Sequence, residues 1–404
     1  MSERRIPGVE PGRGGKPPKK DPNLERPGGA TPPEDDAFAS FAGDDTAMAS
    51  QWKLIWWKFR KHKLAMIGLV VTIIIYLVAI FAEVVAPYRP DTNFSEYTYT
   101  PPQIPHVIDT SDGFSIGLFA NGYKSEVDTT SFRRVFTVDD DTKIPLGFFV
   151  KGESYKLWGI IPWDRHLIGA KNPEDTVFMF GTDRLGRDML SRVVYGARIS
   201  MSIGFIGVAL SVVLGIALGG ISGYFGGRID NIIQRAIEII RSIPTIPLWM
   251  GLAAALPPSW SGLRVYLGIT VILSFIGWTG LARVVRGRFL AMREEEFITA
   301  AKLDGSKERR IIFRHMVPSF MSHIIASVTL AIPAMILAET SLSFLGLGLR
   351  PPTVSWGVLL QEAQNIRTVA TAPWLFAPGV AIVIAVLALN FVGDGLRDAA
   401  DPYR

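Results

Sequence analysis

The sequence predicts an all-α polytopic membrane protein with six transmembrane helices and a small β-rich insert between the first two. Hydrophobic residues make up 48% of the 404 residues, and they are clustered into uncharged runs. Several runs reach the ~18–20 residues that the hydrocarbon core of a bilayer requires. The net charge of +5 comes from basic residues that flank these runs. The positive-inside rule explains this pattern, so a lipid bilayer is the expected partner and nucleic acid is not.

Two segments make up the start of the chain. Residues 1–50 are rich in Pro, Gly and charge, and they are predicted to form a disordered cytoplasmic tail because they cannot bury enough apolar surface. Residues 51–86 hold an interfacial segment with Trp52, Trp56 and Lys53, followed by the first predicted span at 64–82. Cations on one flank predict that this span runs outward from the cytoplasm.

Residues 87–180 differ in composition from the spans on either side. Charges of both signs alternate with Thr, Tyr, Pro and Gly, and short stretches such as 134–138 are typical of strands. We expect a small extracytoplasmic insert, because the segment is long for a connection and contains no span-length apolar run. Its aromatic residues would suit a docking face for a partner, and a self-contained cap is the alternative. They include Phe148, Phe149, Tyr155, Trp158 and Trp163.

The second predicted span, residues 199–223, carries small residues at every fourth position. Such a ridge lets another helix approach at close backbone distance, so it is predicted to be a packing face. The residues before this span, 180–198, show an apolar stripe at helical spacing. This stripe predicts an amphipathic surface helix capped by Thr182 or Asp183. The ridge consists of Gly207, Ser211, Gly215, Gly219 and Gly223.

The third and fourth predicted spans cover residues 232–256 and 265–282, and two prolines break the helix of the third. Three charged residues lie at a spacing of three near its cytoplasmic end, where they share roughly one face and could pair. Ionisable residues within a span are functional by default. Arg235, Glu238 and Arg241 are therefore candidates for either the transport pathway or a structural ion-pair cluster.

A basic loop, residues 286–318, joins the fourth and fifth predicted spans. A helical run with small residues ends at Gly305, a residue type that accepts a left-handed backbone without a Cβ clash. A second short, basic helix follows, and the next segment opens at a proline, where the missing N–H costs little. The loop is therefore predicted to fold as helix, sharp turn, helix. Its motif positions are Thr299, Ala300, Ala301, Gly305, Val317 and Pro318.

The fifth predicted span, residues 319–338, is expected to be interrupted at His323 and Pro333. Glu339 follows it as an isolated acid and is a further candidate for the pathway. The sixth span is predicted at residues 374–393, before a charged cytoplasmic end.

The loop motif resembles the EAA loop of bacterial ABC-importer permeases, with Thr299 where that family has Glu. The Gly-Thr-Asp-x-x-Gly-Arg-Asp-x-x-Ser-Arg stretch that starts at Gly181 is similar to the dipeptide and oligopeptide branch. Outside the insert, residues 52–404 resemble the C-type permease subunit of the peptide, opine and nickel importers. The resemblance implies a six-span permease fold whose core is formed by residues 181–404.

The same resemblance implies the assembly. A second homologous permease subunit would complete the pathway, two cytoplasmic ATPases would dock on the 297–318 segment, and a periplasmic substrate-binding protein would deliver substrate. The protein would lie in the bacterial inner membrane with both termini in the cytoplasm. Oligopeptides or dipeptides are the implied substrates, and opines, nickel chelates or sugars are the alternatives.

Several kinds of chemistry are absent from the sequence. It contains no phosphate-binding G-x-x-x-x-G-K-[ST] motif, no H-E-x-x-H pair and no cysteine, so neither a cofactor nor a metal is expected and ATP hydrolysis is assigned to partners. An ion-driven secondary transporter is the alternative from another class, but it would need midplane acids and an inverted repeat. A membrane-embedded enzyme would need paired acids, whereas Glu339 stands alone in the sequence.

Overall fold

The computed structural model describes residues 51–109, 115–127, 129, 134–365 and 370–400, so the predicted tail at 1–50 lies outside the described residues. In chain order the helices are α1 (Gln51–Lys61), α2 (Lys63–Ile80), α3 (Ala82–Val85), α4 (Met189–Phe225), α5 (Gly227–Ser242), α6 (Thr245–Ala254), α7 (Gly262–Met292), α8 (Glu296–Leu303), α9 (Met321–Phe344), α10 (Trp356–Glu362) and α11 (Ala377–Ala400). Shorter helical turns lie at Ser95–Tyr97, Glu308–Arg310, Val317–Ser319 and Pro373–Phe376, and Ile311–Met316 is π-helical. The strands are β1 (His106–Asp109), β2 (Ser115–Val127), β3 (Arg134–Leu157) and β4 (Ile161–Ala170).

The long helices confirm the predicted fold class. Within the described residues, α2, α4, α7, α9 and the segment that ends in α11 make five helices long and apolar enough to cross a membrane. Helices α5 and α6 meet at a bend of 89°, and they make a sixth span if the bent pair is counted as one broken span. Pro244 caps α6 at this bend, as the predicted break requires, and Pro247 fits within the first turn of α6, where a missing N–H costs little.

The predicted surface helix before the second span is wrong. The cap is Asp188, whose carboxylate accepts a hydrogen bond from the Ser191 amide at 2.7 Å, and neither Thr182 nor Asp183 caps a helix. From Met189 the helix then runs unbroken for 37 residues, so the apolar stripe and the second span belong to one element. The sequence pattern alone does not separate a surface helix from the first turns of a long span.

The predicted interruption of the fifth span is also wrong. Helix α9 is continuous for 24 residues and includes both His323 and Pro333. A proline within a transmembrane helix is tolerated where neighbouring helices support the freed backbone. Glu339 therefore lies on α9 itself and does not follow it.

The insert folds as a four-stranded antiparallel sheet in the order β1-β2-β3-β4, which confirms the predicted β-rich insert. Ala120 of β2 pairs with Ile144 of β3, and Tyr155 of β3 pairs with Trp163 of β4. Its apolar core is small, and it consists of Ala120, Ile144, Leu146, Ala170 and Val177.

Helix α4 is the centre of the helical bundle. It packs along α7, and it also contacts α9, α2 and the short helix α10. The apolar cluster where α4, α7 and α9 meet includes Ile203, Val208, Leu273, Met335 and Leu342. Helix α11 packs between α2 and α9 on the other side. The loop between α7 and α9 therefore projects from the bundle at the end where α4 finishes.

Candidate functional site

The turn at Gly305 is built from local backbone bonds. Helix α8 ends at Leu303, and Gly305 adopts a φ of +74° in open space. The Gly305 amide donates to the Lys302 carbonyl oxygen at 3.0 Å, and the Ser306 amide donates to that of Ala301 at 3.1 Å. This pair of bonds is a Schellman motif, which satisfies carbonyl groups that a helix end leaves unpaired. The glycine therefore sets the angle at which the chain leaves α8.

One face of the loop is anchored in the bundle. Ile298 of α8 and Met316 of the π-helical segment are fully buried, and they pack with Val285 and Phe289 of α7. The motif residue Val317 belongs to the same apolar cluster, which continues to Ile311, Ile312, Phe320 and Ile324. The loop is therefore packed against the ends of α7 and α9.

The other face of the loop is exposed. Leu303 is 85% exposed, an unusual position for a large apolar side chain at a helix end. Thr299 is exposed, and its Oγ1 donates to the Glu295 carbonyl oxygen at 3.2 Å. The exposed positions include Phe297, Thr299, Ala300, Leu303, Gly305, Phe313 and Pro318, while Ala301 is half-buried.

The small-residue ridge on α4 lies mainly against α7. A Cβ atom on Gly219 would lie 2.5 Å from the Ala282 carbonyl oxygen, so only glycine permits this approach. Ser211 of α4 donates through Oγ to the Ser274 carbonyl oxygen of α7 at 3.1 Å. This hydrogen bond joins the two helices within the small-residue ridge. In addition, Gly207 faces the Met335 side chain of α9, Gly215 faces Leu281, and Gly223 faces the Arg286 backbone.

The three charged residues of α5 are not one cluster. Arg235 Nη1 lies 2.8 Å from Glu238 Oε2 in an exposed ion pair. Arg241 lies apart from them, at the wall of a 380 Å³ cavity that is bounded by α4, the bend between α5 and α6, α7 and α9. No carboxylate in the described part of the chain lies within 4 Å of its guanidinium. Trp249, Thr279 and Ala334 are among the other residues at the cavity wall.

Glu339 is fully buried and belongs to a hydroxyl network. Its carboxylate accepts hydrogen bonds from Ser343 and Ser355, each at 2.8 Å, and from Ser200 of α4 at 3.3 Å. Each of these hydroxyls in turn accepts a backbone N–H, for example that of Trp356 at Ser200. The structure therefore places Glu339 where it joins α4, α9 and the start of α10, away from the cavity at Arg241.

A second buried network lies before α4, and the sequence analysis missed it. Asp183 accepts hydrogen bonds from the amides of Leu185 and Arg187 at 2.8 and 2.9 Å, and the Arg187 Nε donates to it at 2.7 Å. The guanidinium of Arg192 also pairs with Asp183 and lies 3.6 Å from Glu362 of α10. The stretch that starts at Gly181 contains these charged residues, but the sequence analysis predicted a surface helix there and no buried network. They are structural ties to α10 instead.

Burial also changes the acid–base behaviour of this region. The pKa of Asp188 is raised to about 6 because its carboxyl group is removed from water, although the bonds from Ser191 oppose the shift. Burial likewise raises the pKa of Glu362, and the guanidinium of Arg192 lowers it in part.

An ion pair at the opposite end of α4 was likewise not anticipated. Arg286 of α7 binds Asp230 of α5 through Nε and Nη2, both at 2.5 Å, and the Ser222 hydroxyl donates to Asp230 at 2.5 Å. These bonds fix the start of α5 against the ends of α4 and α7. The sequence separation of 56 residues between the two charges hides such a pair from sequence patterns.

The arrangement of spans and exposed loop agrees with the similarity of the chain to known families. The profile described as "Binding-protein-dependent transport system inner membrane component" matches residues 215–403, and that of the "N-terminal TM domain of oligopeptide transport permease C" matches residues 50–102. The oligopeptide transport system permease protein OppC of Bacillus subtilis (strain 168) is 32% identical over 369 residues, which cover 90% of this chain and 95% of that protein. The chain belongs to the binding-protein-dependent transport permeases.

Two further proteins are similar to parts of this chain. The dipeptide transport system permease protein DppC of Bacillus subtilis (strain 168) is 40% identical over 232 residues, or 57% of this chain and 70% of that protein. A solved structure of the MetNI methionine ABC transporter in inward-facing conformations aligns with 53% of this chain and 98% of that chain, at 19% identity and a TM-score of 0.42, a similarity too low to carry an argument. The family and the apolar helices make this chain an inner-membrane permease.

Proposed function

We propose that this permease is the transmembrane subunit of an ATP-driven importer of oligopeptides or dipeptides. The observation that carries the proposal is the 32% identity to an oligopeptide permease over 90% of this chain. A second permease subunit would complete the pathway, two ATPases would hydrolyse ATP in the cytoplasm, and a periplasmic protein would deliver the peptide. This chain contributes the helices and the coupling loop, residues 286–318, and carries no catalytic residue of its own.

Reconstitution tests the substrate class directly. Proteoliposomes that contain this chain, the permease and ATPases encoded with it, and the cognate binding protein are expected to take up radiolabelled di- or oligopeptides only with ATP. Nickel chelates, opines and disaccharides serve as competitors in the same assay. ATP-dependent uptake of one of these, without peptide uptake, would reject the peptide assignment but keep the permease role. Uptake driven by an ion gradient without ATP would reject both.

The proposed coupling route runs through the exposed face of α8. A loop with one face packed on α7 and α9 can transmit force to these helices, and its exposed apolar positions Ala300 and Leu303 provide a surface for an ATPase. The chain contains no native cysteine, so introduced cysteines report without background. Ala300→Cys and Leu303→Cys are expected to cross-link to an ATPase subunit, whereas Val127→Cys, which is exposed on β2, is the control. Equal cross-linking at all three positions would contradict docking on α8.

The proposed orientation places both termini and the 286–318 loop in the cytoplasm and the sheet outside. An impermeant thiol reagent added to intact spheroplasts is expected to label Ser125→Cys and Ser154→Cys, which are exposed on the sheet. Ser306→Cys is expected to react only after the membrane is opened. Labelling of position 306 in sealed spheroplasts would overturn this orientation.

Among the charged candidates, Arg241 is the residue that we propose for the pathway. It lines the cavity between the spans, while Glu238 pairs with Arg235 at the surface and Glu339 lies in the hydroxyl network. Arg241→Gln is expected to lower the rate of peptide uptake without preventing assembly of the complex. Glu238→Gln is the matched control, with uptake unchanged. The reverse pattern would exclude Arg241 from the pathway.

A further inference from the structure

The carbonyl end of α2 is satisfied by side chains from two other elements. The last carbonyl groups of a helix have no partner within it. The Arg198 guanidinium donates to the carbonyl oxygens of Ala79 at 2.9 Å and Ile80 at 3.0 Å. The Trp158 indole Nε1 also donates to Ile80, at 2.9 Å. Because Trp158 lies in the turn between β3 and β4, the tip of this hairpin is level with the end of the first span.

Trp158 has a backbone conformation that bulky residues rarely adopt. Its φ is +51° and that of Gly159 is +75°, and the Ile160 amide donates to the Leu157 carbonyl oxygen at 3.0 Å. Two consecutive residues with positive φ in a hairpin turn favour Asn or Gly at the first position. The indole bond to Ile80 and a ring contact with Phe81, with 5.6 Å between centroids, compensate for this strain. Strained residues of this kind cluster at functional positions.

The apolar side chains of the tip are exposed although they lie beside a transmembrane helix. Ile160 is 79% exposed and Trp158 is 50% exposed, and Ile161 and Trp163 are also exposed. Helix α2 presents an exposed apolar stripe at helical spacing that ends at Phe81, whose ring contacts Trp158. The exposed apolar side of the first span therefore continues onto the hairpin. The stripe consists of Ile67, Val70, Ile74, Leu77 and Phe81.

We propose that the hairpin tip, residues 158–163, is a second membrane contact that holds the sheet against the bilayer surface where α2 ends. Trp158 and Trp163 are amphipathic rings of the type that partitions to the headgroup region, and Ile160 and Ile161 add apolar area beside them. Trp158 positions the tip through its bond to Ile80. This contact goes beyond the proposed transport function and does not depend on the identity of the substrate.

A fluorescent label at the tip tests the proposal in the assembled complex. Ile160→Cys, labelled with an environment-sensitive fluorophore in lipid vesicles, is expected to emit at shorter wavelength than Val138→Cys. Val138 is a matched control because it is an exposed apolar residue on β3, the strand that leads to the hairpin tip. Lipids that carry a nitroxide near the headgroup end of the acyl chain are expected to quench position 160 several-fold more than position 138. Elution as a single species shows that each labelled complex is folded.

Three outcomes decide the proposal. Equal quenching at positions 160 and 138 would overturn the membrane contact. A label at 160 that reports water in vesicles and becomes shielded only when the substrate-binding protein is added would overturn it in favour of protein docking. Trp158→Asn in the Ile160→Cys background relieves the turn strain and removes the indole bond, so it is expected to reduce the quenching at 160. Unchanged quenching in that variant would overturn the positioning role of Trp158.

Discussion

The two ends of the helical bundle are held together in different ways. At the end that carries α8, Arg286 and Asp230 tie α7 to α5, but the turn at Gly305 depends on local backbone bonds and one face of the loop is left exposed. At the end where α4 begins, Asp183, Arg192 and Glu339 are buried, and the contacts of Arg192 with Glu362 and of Glu339 with Ser200 join segments more than a hundred residues apart in the chain. The end where α4 begins is held by contacts between distant segments, while the α8 end also keeps an exposed surface available to a partner.

The largest loss of stability is expected from Asp183→Ala. The change leaves the guanidinium of Arg192 buried with Glu362 as its remaining partner, and breaking a buried ion pair costs about 3–5 kcal/mol. Thermal unfolding of the purified permease complex measures this loss. Glu238→Ala is the control, because its exposed pair with Arg235 contributes about 0–1 kcal/mol. Similar melting temperatures for the two variants would contradict a stabilising role of the buried Asp183–Arg192 pair.

The next effect is a pH dependence that arises from Asp188. Its pKa is about 6 in the folded state and ~3.9 in an unfolded chain, so the folded state binds more protons between these values. The free energy of unfolding therefore falls by about 3 kcal/mol as the pH rises from about 4 to about 6. Asp188→Asn keeps a capping side chain and is expected to remove this part of the slope. The same slope in both proteins would show that Asp188 is not its source.

A smaller loss is expected from Glu339→Ala. Three hydroxyls lose their acceptor, but a carboxylate without a cation nearby is also costly to bury, so the net loss is about 2 kcal/mol. Glu339→Gln retains an acceptor oxygen and is expected to lose less stability and to keep peptide uptake. Thermal unfolding and uptake are measured on the same preparations. Stable protein without uptake in Glu339→Gln would instead place Glu339 in the pathway.

The smallest effect on stability is expected at the α8 end, from Gly305→Val. A left-handed residue with a Cβ atom costs about 1–2 kcal/mol, and the strain alters the direction in which the chain leaves α8. Peptide uptake is therefore expected to collapse while the complex still assembles. Gly287→Val is the matched control, since both glycines have open space beside them and only Gly305 has a positive φ. Normal coupling in Gly305→Val would refute a role of the turn in transmission.

The turn at Gly305 could be predicted from the sequence because its geometry is local. Gly305 follows a helical run, and a glycine just past a helix end adopts positive φ wherever the chain is located. The apolar runs likewise predicted the spanning helices, because bilayer thickness sets the length that each must have. The alternation of polar and β-prone residues predicted a sheet in the insert, and the structure contains one.

The partners of the charged residues could not be predicted. Arg235, Glu238 and Arg241 share a spacing of three on α5, yet Glu238 pairs with Arg235 at the surface while Arg241 lines the cavity between the helices. Glu339 stands alone in the sequence because its hydroxyl partners come from α4 and from the segment before α10. Sequence spacing gives no information about such partners.

The sequence by itself determined which segments enter the membrane, where α8 ends and which residue sets its turn. Each of these depends on the free energy of a single segment in lipid or water, and neighbouring residues supply that information. The tertiary structure alone decided which charge meets which partner and which apolar side chain remains exposed. A buried charge is stabilised by whatever group folding brings within hydrogen-bond distance. For Arg192 that group is Glu362 and for Glu339 it includes Ser200, each more than a hundred residues away in the chain. The Trp158 indole likewise reaches the carbonyl oxygen of Ile80, 78 residues earlier.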